Sequence, residues 1–261
     1  MKLKILGSVS PYPKGNKNCV SYFITTNGNK KILLDVGPGS TRLLNMRKDL
    51  NNLIVIISHL HRDHYSDISA LAYASFVEHN FGYLNNRIKV YIPKTDKNAD
   101  YELLMNYGDE NYLEFISYDK LNLKIDDNTT IISGINPHNI VSNSIKIKEE
   151  DVIFVYSGDT GFKNNTITSF SKNADLLICE STFLKGQKKL DYHLCAYEAG
   201  IIASNANVKS LLLTHFYPEI NSQKYVDEAS KTFVTGNIYA ASENDCYVIT
   251  PNKIIKKSLK A

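Results

Sequence analysis

Leu53-Ile54-Val55-Ile56-Ile57 runs directly into Ser58-His59-Leu60-His61-Arg62-Asp63-His64. The first five residues are apolar and mostly β-branched, the composition of a strand buried on both faces. The next seven hold three histidines and an aspartate where that strand must end. In an extended or tightly turning segment, side chains two apart point the same way, so His59 and His61 can share one metal ion. Asp63 and His64 lie just beyond, where a turn can aim them at a second ion. Neutral imidazole and carboxylate are the ligands expected for zinc and similar divalent cations. The chain has seven histidines in 261 residues, an unremarkable total. Three of them interleaved with an aspartate at a strand end is not unremarkable.

Outward from this segment, short β-rich runs dominate the first third. Residues 2–6, 19–25 and 31–36 read as strands, and Asn27-Gly28 is a hairpin-turn signal between the last two. Gly37-Pro38-Gly39 breaks the third strand, and a helix is expected over 40–50. Helical periodicity covers about 66–78, followed by a strand at 88–92 and short helices over 99–107 and 110–116. Further strands are expected at 129–133, 144–147, 152–156, 176–178, 210–213, 238–240 and 246–249. Helices are expected at 196–206 and 225–233. Hairpins first and mixed strand–helix units later suit two sheets with helices packed outside them, in one domain spanning 1–261.

The composition is 43% hydrophobic and 22% charged, which excludes disorder as the main state. A formal charge of +3 is too mild for a dedicated nucleic-acid binder. No apolar run approaches the roughly 18–20 residues of a membrane span, so no membrane partner is expected. The first residues lack an apolar signal core, and a cytoplasmic location is the expectation. Cys19, Cys179, Cys195 and Cys246 form no CxxC pair, so each is expected as a buried thiol.

The histidine cluster resembles the signature of the metallo-β-lactamase superfamily. Other segments match in the family's order: Leu33-Leu34-Asp35-Val36-Gly37, Asn136-Pro137-His138, Tyr156-Ser157-Gly158-Asp159-Thr160 and Leu213-Thr214-His215-Phe216. The resemblance implies an α/β (α+β) fold, a four-layered αβ/βα sandwich. Within the superfamily, the stretch from Ala174 to Phe183 is similar to ribonuclease Z and its small phosphodiesterase relatives. His193-Leu194-Cys195-Ala196 resembles their His-Ser-Thr-Ala segment. Cys179 departs from the ribonuclease Z pattern, which has His there.

The resemblance implies two divalent metal ions, zinc or alternatively manganese. His59, His61 and His138 would hold the first, Asp63, His64 and His215 the second, and Asp159 would bridge them. Such ions, about 3.5–4 Å apart, can share a hydroxide that acts as nucleophile. His193, Asp63 and Glu180 are the catalytic candidates. His193 would protonate the leaving alkoxide, Glu180 would orient it, and Asp63 would double as ligand. Asp35 is expected to accept hydrogen bonds that brace the metal loop. His79 is expected to be a solvated helix-end residue, and residues 15–18 a solvated loop.

Three classes of function compete: a phosphodiesterase, a lactonase- or thioesterase-like acyl hydrolase, and a binding protein on a degenerate scaffold. The complete ligand set argues against the last. The His193 segment favours the first, because a poor alkoxide leaving group gains from a general acid. Ribonuclease Z carries a substrate-binding arm between its third histidine and its bridging aspartate, yet here His138 and Asp159 are only 21 positions apart. The expected substrate is therefore a small or cyclic phosphodiester, with RNA less favoured. Relatives of this branch also suggest a homodimer.

Overall fold

The computed structural model describes residues 1–96, 98–107, 112–163, 165–188, 190–251 and 253–257. In chain order the strands are β1 (Lys2–Gly7), β2 (Ser21–Thr25), β3 (Lys31–Leu34), β4 (Leu53–Ile56), β5 (Ile88–Pro93), β6 (Leu113–Tyr118), β7 (Asn122–Lys124) and β8 (Thr129–Ile135). They continue as β9 (Asn143–Glu149), β10 (Val152–Tyr156), β11 (Leu176–Glu180), β12 (Ser210–Thr214), β13 (Asn237–Ala240), β14 (Cys246–Thr250) and β15 (Lys253–Lys257). They form an eight-stranded sheet, β15-β14-β1-β2-β3-β4-β5-β6, and a seven-stranded sheet, β13-β12-β11-β10-β9-β8-β7.

The period of two along each strand divides the core. Ile32, Leu34 and Ile56 face inward and join Ile145, Ile147, Phe154 and Tyr156 of the other sheet. Leu33 and Val55 alternate with them and face outward, against Leu71 and Ala72 of helix α3 (Ile68–Asn80) and Leu104 of α4 (Ala99–Met105). Two short helices, α1 (Met46–Asp49) and α2 (Arg62–Tyr65), precede α3. The second sheet is covered on its outer face by α5 (Thr166–Phe170), α6 (Ala196–Asn205) and α7 (Gln223–Ala229). The layers therefore run helix, sheet, sheet, helix, the αβ/βα order the resemblance implied.

Topology then places the site. β3 to β6 run parallel to one another, as do β10 to β13. Parallel strands deliver their C-terminal ends to one end of the sandwich. The loops after β4, β8, β10, β11 and β12 all open there. The two sheets are joined at the same point, where the Asn143 N–H donates to the Ser58 carbonyl at 3.1 Å.

Several elements differ from expectation. The helix expected over 40–50 is broken into a 3₁₀ turn, Ser40–Leu43, and α1, with Leu44 extended between them. Asn45 caps α1 by accepting from the Lys48 N–H, so a polar residue inside the supposed helix starts a new one. The helix expected over 110–116 is instead strand β6 from Leu113, hydrogen-bonded in parallel to β5; residues 108–111 lie outside the described set. A free strand edge on β5 outweighed a weak local helical pattern. α5, β7 and β15 are additional elements with no clear signal in the sequence. Cys19, Cys179 and Cys195 are buried free thiols, whereas Cys246 is half-buried on β14. Asn18 is buried, donating to the Leu6 carbonyl at 2.7 Å and accepting from Arg42 Nε at 3.0 Å, so only residues 15–17 of that loop are solvated. Among the described residues no helix is long and apolar enough to cross a membrane.

Candidate metal centre

Asp35 anchors the site from below. It ends β3 with a left-handed backbone, φ 56°, and is fully buried. Its carboxylate accepts from the Ser58 N–H at 2.6 Å, the Ser58 hydroxyl at 2.8 Å, His64 Nδ1 at 2.7 Å and the Tyr156 hydroxyl at 2.8 Å. This one side chain sets the exit of β4, the start of the histidine loop and the His64 ring. Tyr156→Phe leaves that buried carboxylate one donor short. It is expected to cost about 1–3 kcal/mol of stability, read as a lower urea midpoint at unchanged m-value. An unmoved midpoint would remove Tyr156 from the anchoring network.

Asn136 holds the third strand-end loop. Its amide donates to the carbonyls of Ser157 at 2.7 Å and Asp159 at 3.0 Å, while its oxygen accepts from Ser144 at 2.6 Å. Gly158 has φ 57°, and a Cβ there would stand 2.5 Å from the Asn143 carbonyl oxygen. Only glycine lets the chain turn so tightly against β9 before presenting Asp159.

The outer hydrogen bonds assign the ring tautomers. The Nδ1–H groups of His59, His64, His138 and His215 point away from the centre. Their partners are the Ser58 hydroxyl at 3.0 Å, Asp35 at 2.7 Å, the Tyr192 carbonyl at 2.9 Å and the Thr182 hydroxyl at 2.8 Å. Each Nε2 is then a bare lone pair turned inward. His59 Nε2 lies 3.1 Å from His61 Nδ1, which lies 3.2 Å from His138 Nε2; His64 Nε2 lies 3.2 Å from His215 Nε2. Lone pairs facing at such distances repel unless a proton or a cation sits between them.

Asp159 stands between the two groups. Its Oδ2 is 3.5 Å from His59 Nε2 and 3.2 Å from His215 Nε2, and its Oδ1 is 3.5 Å from His64 Nε2. That Oδ1 is buried without a hydrogen-bond partner. Three sets of ligand atoms converge to within 4.8 Å: His59, His61, His138 and Asp159; Asp63, His64 and His215; and Asp159, His193 and His215. All seven expected ligands therefore meet in one place, and His193 joins them. An orphaned buried carboxylate oxygen and inward-facing lone pairs make this donor set suitable for divalent cations.

Charge is unevenly shared within the cluster. Burial, and then repulsion from neighbouring rings, holds the pKa of His61 down to about 4 and that of His59 well below the usual range. Burial opposes protonation of His215 too, but the Asp159 and Asp63 carboxylates override it and lift it to about 10. His64 is raised in the same way by Asp159, Asp63 and Asp35. The Asp159 side of the cluster thus demands positive charge.

Glu180, fully buried at the end of β11, is satisfied on both oxygens. Oε1 accepts from the Thr160 N–H at 2.9 Å and His193 Nδ1 at 3.0 Å; Oε2 accepts from the Thr182 hydroxyl at 2.7 Å and the Leu194 N–H at 3.2 Å. Burial alone would lower the His193 pKa, but the Glu180 charge and hydrogen bond, followed by the Asp159 charge, raise it. Two contributors were not singled out in the sequence, although Thr182 lies within the ribonuclease Z-like stretch. Ser10 donates to Asp63 Oδ2 at 2.6 Å, and Thr182 links Glu180 to His215. Both are ordinary hydroxyl residues whose role exists only through the loops that meet here. His79 is not the solvated residue expected: it is half-buried, bonded to the Leu84 carbonyl at 2.9 Å and stacked on Tyr112 at 3.6 Å, away from the cluster.

Comparison with known proteins agrees with this geometry. A family model described as "Beta-lactamase superfamily domain" matches residues 30–216. The chain is 27% identical to the "Probable metallo-hydrolase YhfI" of Bacillus subtilis, covering 92% of this chain and 97% of that one. It is 26% identical to a "Ribonuclease Z" of Chlamydia muridarum, covering 96% and 98%. The crystal structure of the metallo-beta-lactamase fold protein YhfI superposes with a TM-score of 0.83 at 26% identity, covering 95% and 99%. Fold, strand-end histidines and family match thus coincide on the same residues, and the chain belongs to the beta-lactamase superfamily.

Proposed function

We propose that the protein is a metal-dependent hydrolase of small or cyclic phosphodiesters. The observation that carries this reading is the hydrogen-bonded pair His193–Glu180, buried and set 3.7 Å from Asp159. A phosphodiester has a poor alkoxide leaving group, and a proton donor at the edge of a cation site answers that need. His59, His61, His138 and Asp159 would hold one divalent cation, zinc or manganese, and Asp63, His64 and His215 the other, with Asp159 shared. Bound there, the cations would supply Lewis-acid charge for the phosphate oxygens and a nucleophile from water at neutral pH.

The chain's own residues do the rest. Asp35, Ser58, Thr182 and the Tyr192 carbonyl keep the imidazoles in the ligating tautomer. Ser10 donates to Asp63 Oδ2, the oxygen that also faces His64 and His215, and so fixes the orientation of that carboxylate. Glu180 holds His193 Nδ1–H, so that Nε2 carries the proton given to the departing oxygen.

The segment between His138 and Asp159 supports a small substrate. It is filled by β9, β10 and the turn between them, with no projecting arm. The alignment with ribonuclease Z spans 304 positions, longer than this whole chain of 261 residues, so that relative carries segments absent here. Remote contacts supply binding energy usable at the reacting centre, and a site without them favours substrates it can enclose. Metal-loaded protein, tested at moderate salt, is expected to hydrolyse small cyclic or aryl diesters with a higher kcat/KM than precursor tRNA. Lactone and thioester panels run beside them should give less. Efficient site-specific 3′ cleavage of precursor tRNA with little action on small diesters would overturn the choice.

A further inference from the structure

Beside the histidine–aspartate cluster lies a cavity of about 590 Å³, within the size range of small-molecule sites. Its wall carries His193, His215, Thr182 and Ser10, but not His59, His61 or His138. It therefore opens on one side of the centre only, the His193 side. The rest of the wall is largely apolar: Pro11, Phe183, Leu190, Tyr217 and Ile220. Leu190 is 48% exposed and Tyr217 40% exposed, so both leave apolar surface in water at the mouth of the site. The Tyr217 ring is braced edge-on by Tyr12 at 6.2 Å. Among the described residues no carboxylate lines the cavity, and its one ammonium group is Lys188.

We infer that this cavity seats an apolar, ring-sized group carried on the leaving alcohol of the substrate. The inference rests on the phosphodiesterase reading above. In that reaction the oxygen of water bonds to phosphorus and the P–O bond to one alcohol breaks. His193 gives its proton to that alkoxide, so the alcohol's organic part must extend past His193. Among the described residues, His193 lines this apolar cavity. The opposite ester group would lie on the His61 and His138 side, and neither of those residues lines the cavity. The site thus selects which of two ester bonds is cut, favouring release of the larger, ring-bearing alcohol. Lys188 at the rim suits a further anionic or polar substituent on that alcohol.

Benzyl methyl phosphate tests this on the metal-loaded protein, because benzyl alcohol and methanol are leaving groups of closely similar acidity. The ratio of the two alcohols then reports orientation and not reactivity. Labelled water should place its oxygen in the phosphate product, which certifies P–O cleavage. Benzyl alcohol should exceed methanol by about tenfold or more, the scale expected for enclosing a phenyl-sized group. Calorimetry gives a readout that needs no turnover: benzylphosphonate should bind about tenfold more tightly than methylphosphonate. Both preferences should shrink to within about threefold in Leu190→Ser and in Tyr217→Ala, at positions exposed enough for each chain to fold. Equal affinity of the two phosphonates for the wild-type protein would overturn the inference, as would a benzyl preference that survives in both variants. If no diester is cleaved while the phosphonate preference holds and is lost in the variants, the phosphodiesterase reading fails and the apolar seat stands.

Discussion

Asp159→Ala is expected to remove most of the bound metal and to bring hydrolysis down to background. Asp159 is 1% exposed, faces His59, His64 and His215, and keeps one oxygen with no protein donor. Among the described residues no other carboxylate reaches both ligand groups. Without it, inward lone pairs of five histidines would surround cations with little negative charge to balance them. Wild-type protein loaded with zinc or manganese should approach two equivalents by elemental analysis, and the variant should fall well below one. Chelation should lower the melting temperature of the wild type, because a ligand bound only to the native state stabilises it; the variant should barely respond. His79→Ala serves as control, since that ring packs on Tyr112 outside the cluster. A variant that keeps two equivalents, or a folded wild-type protein that stays metal-free in excess zinc and manganese, defeats the dinuclear proposal.

His193→Ala should lower turnover of alkyl diesters by roughly 10²–10⁴-fold, the usual worth of a positioned general acid. Nitrophenolate leaves without help, so the loss on nitrophenyl diesters should be much smaller. Glu180→Gln keeps the shape of the acceptor but removes the charge that raises His193. It should shift the pH–rate profile more than it lowers the maximum. Metal content is the second readout for His193→Ala, because His193 also falls within ligand distance of Asp159 and His215. Unchanged metal with a leaving-group-dependent loss supports the acid role. Loss of metal would make His193 a ligand, and an equal loss on both substrate types would make it a structural or binding residue.

Much of this centre was legible before any coordinates, for a physical reason. A buried strand announces itself as a continuous apolar run, and ligands crowded at its end keep a fixed local spacing, as in His59-Leu60-His61-Arg62-Asp63-His64. His138, Asp159 and His215 stood out only through the motifs around them, because they come from three other strand ends. Asp35 was also readable, as an aspartate set between a strand and a glycine turn. His79 was misjudged because nothing local reveals that Tyr112 will stack on it. The strand over 113–118 was misjudged because its partner β5 is distant in sequence, and pairing with an open edge overrides weak local preference.

By itself, then, the sequence determined the strands with strong apolar character and the crowded donors from His59 to His64, since these rest on composition and short-range spacing, while the other donors and the sandwich followed from the resemblance of their motifs to the superfamily. Only the tertiary structure decided how those donors are oriented. The tautomers depend on hydroxyls, carbonyls and carboxylates brought in by other loops: Ser58 on His59, Asp35 on His64, Tyr192 on His138, Thr182 on His215. Ser10 reaches Asp63 from the first strand-end loop, across 53 positions of chain. The apolar cavity is likewise assembled from Pro11, Phe183, Leu190, Tyr217 and Ile220, which come from three separate segments. A side chain's direction and its distant partners are set by packing, and packing is a property of the whole chain that no local stretch encodes.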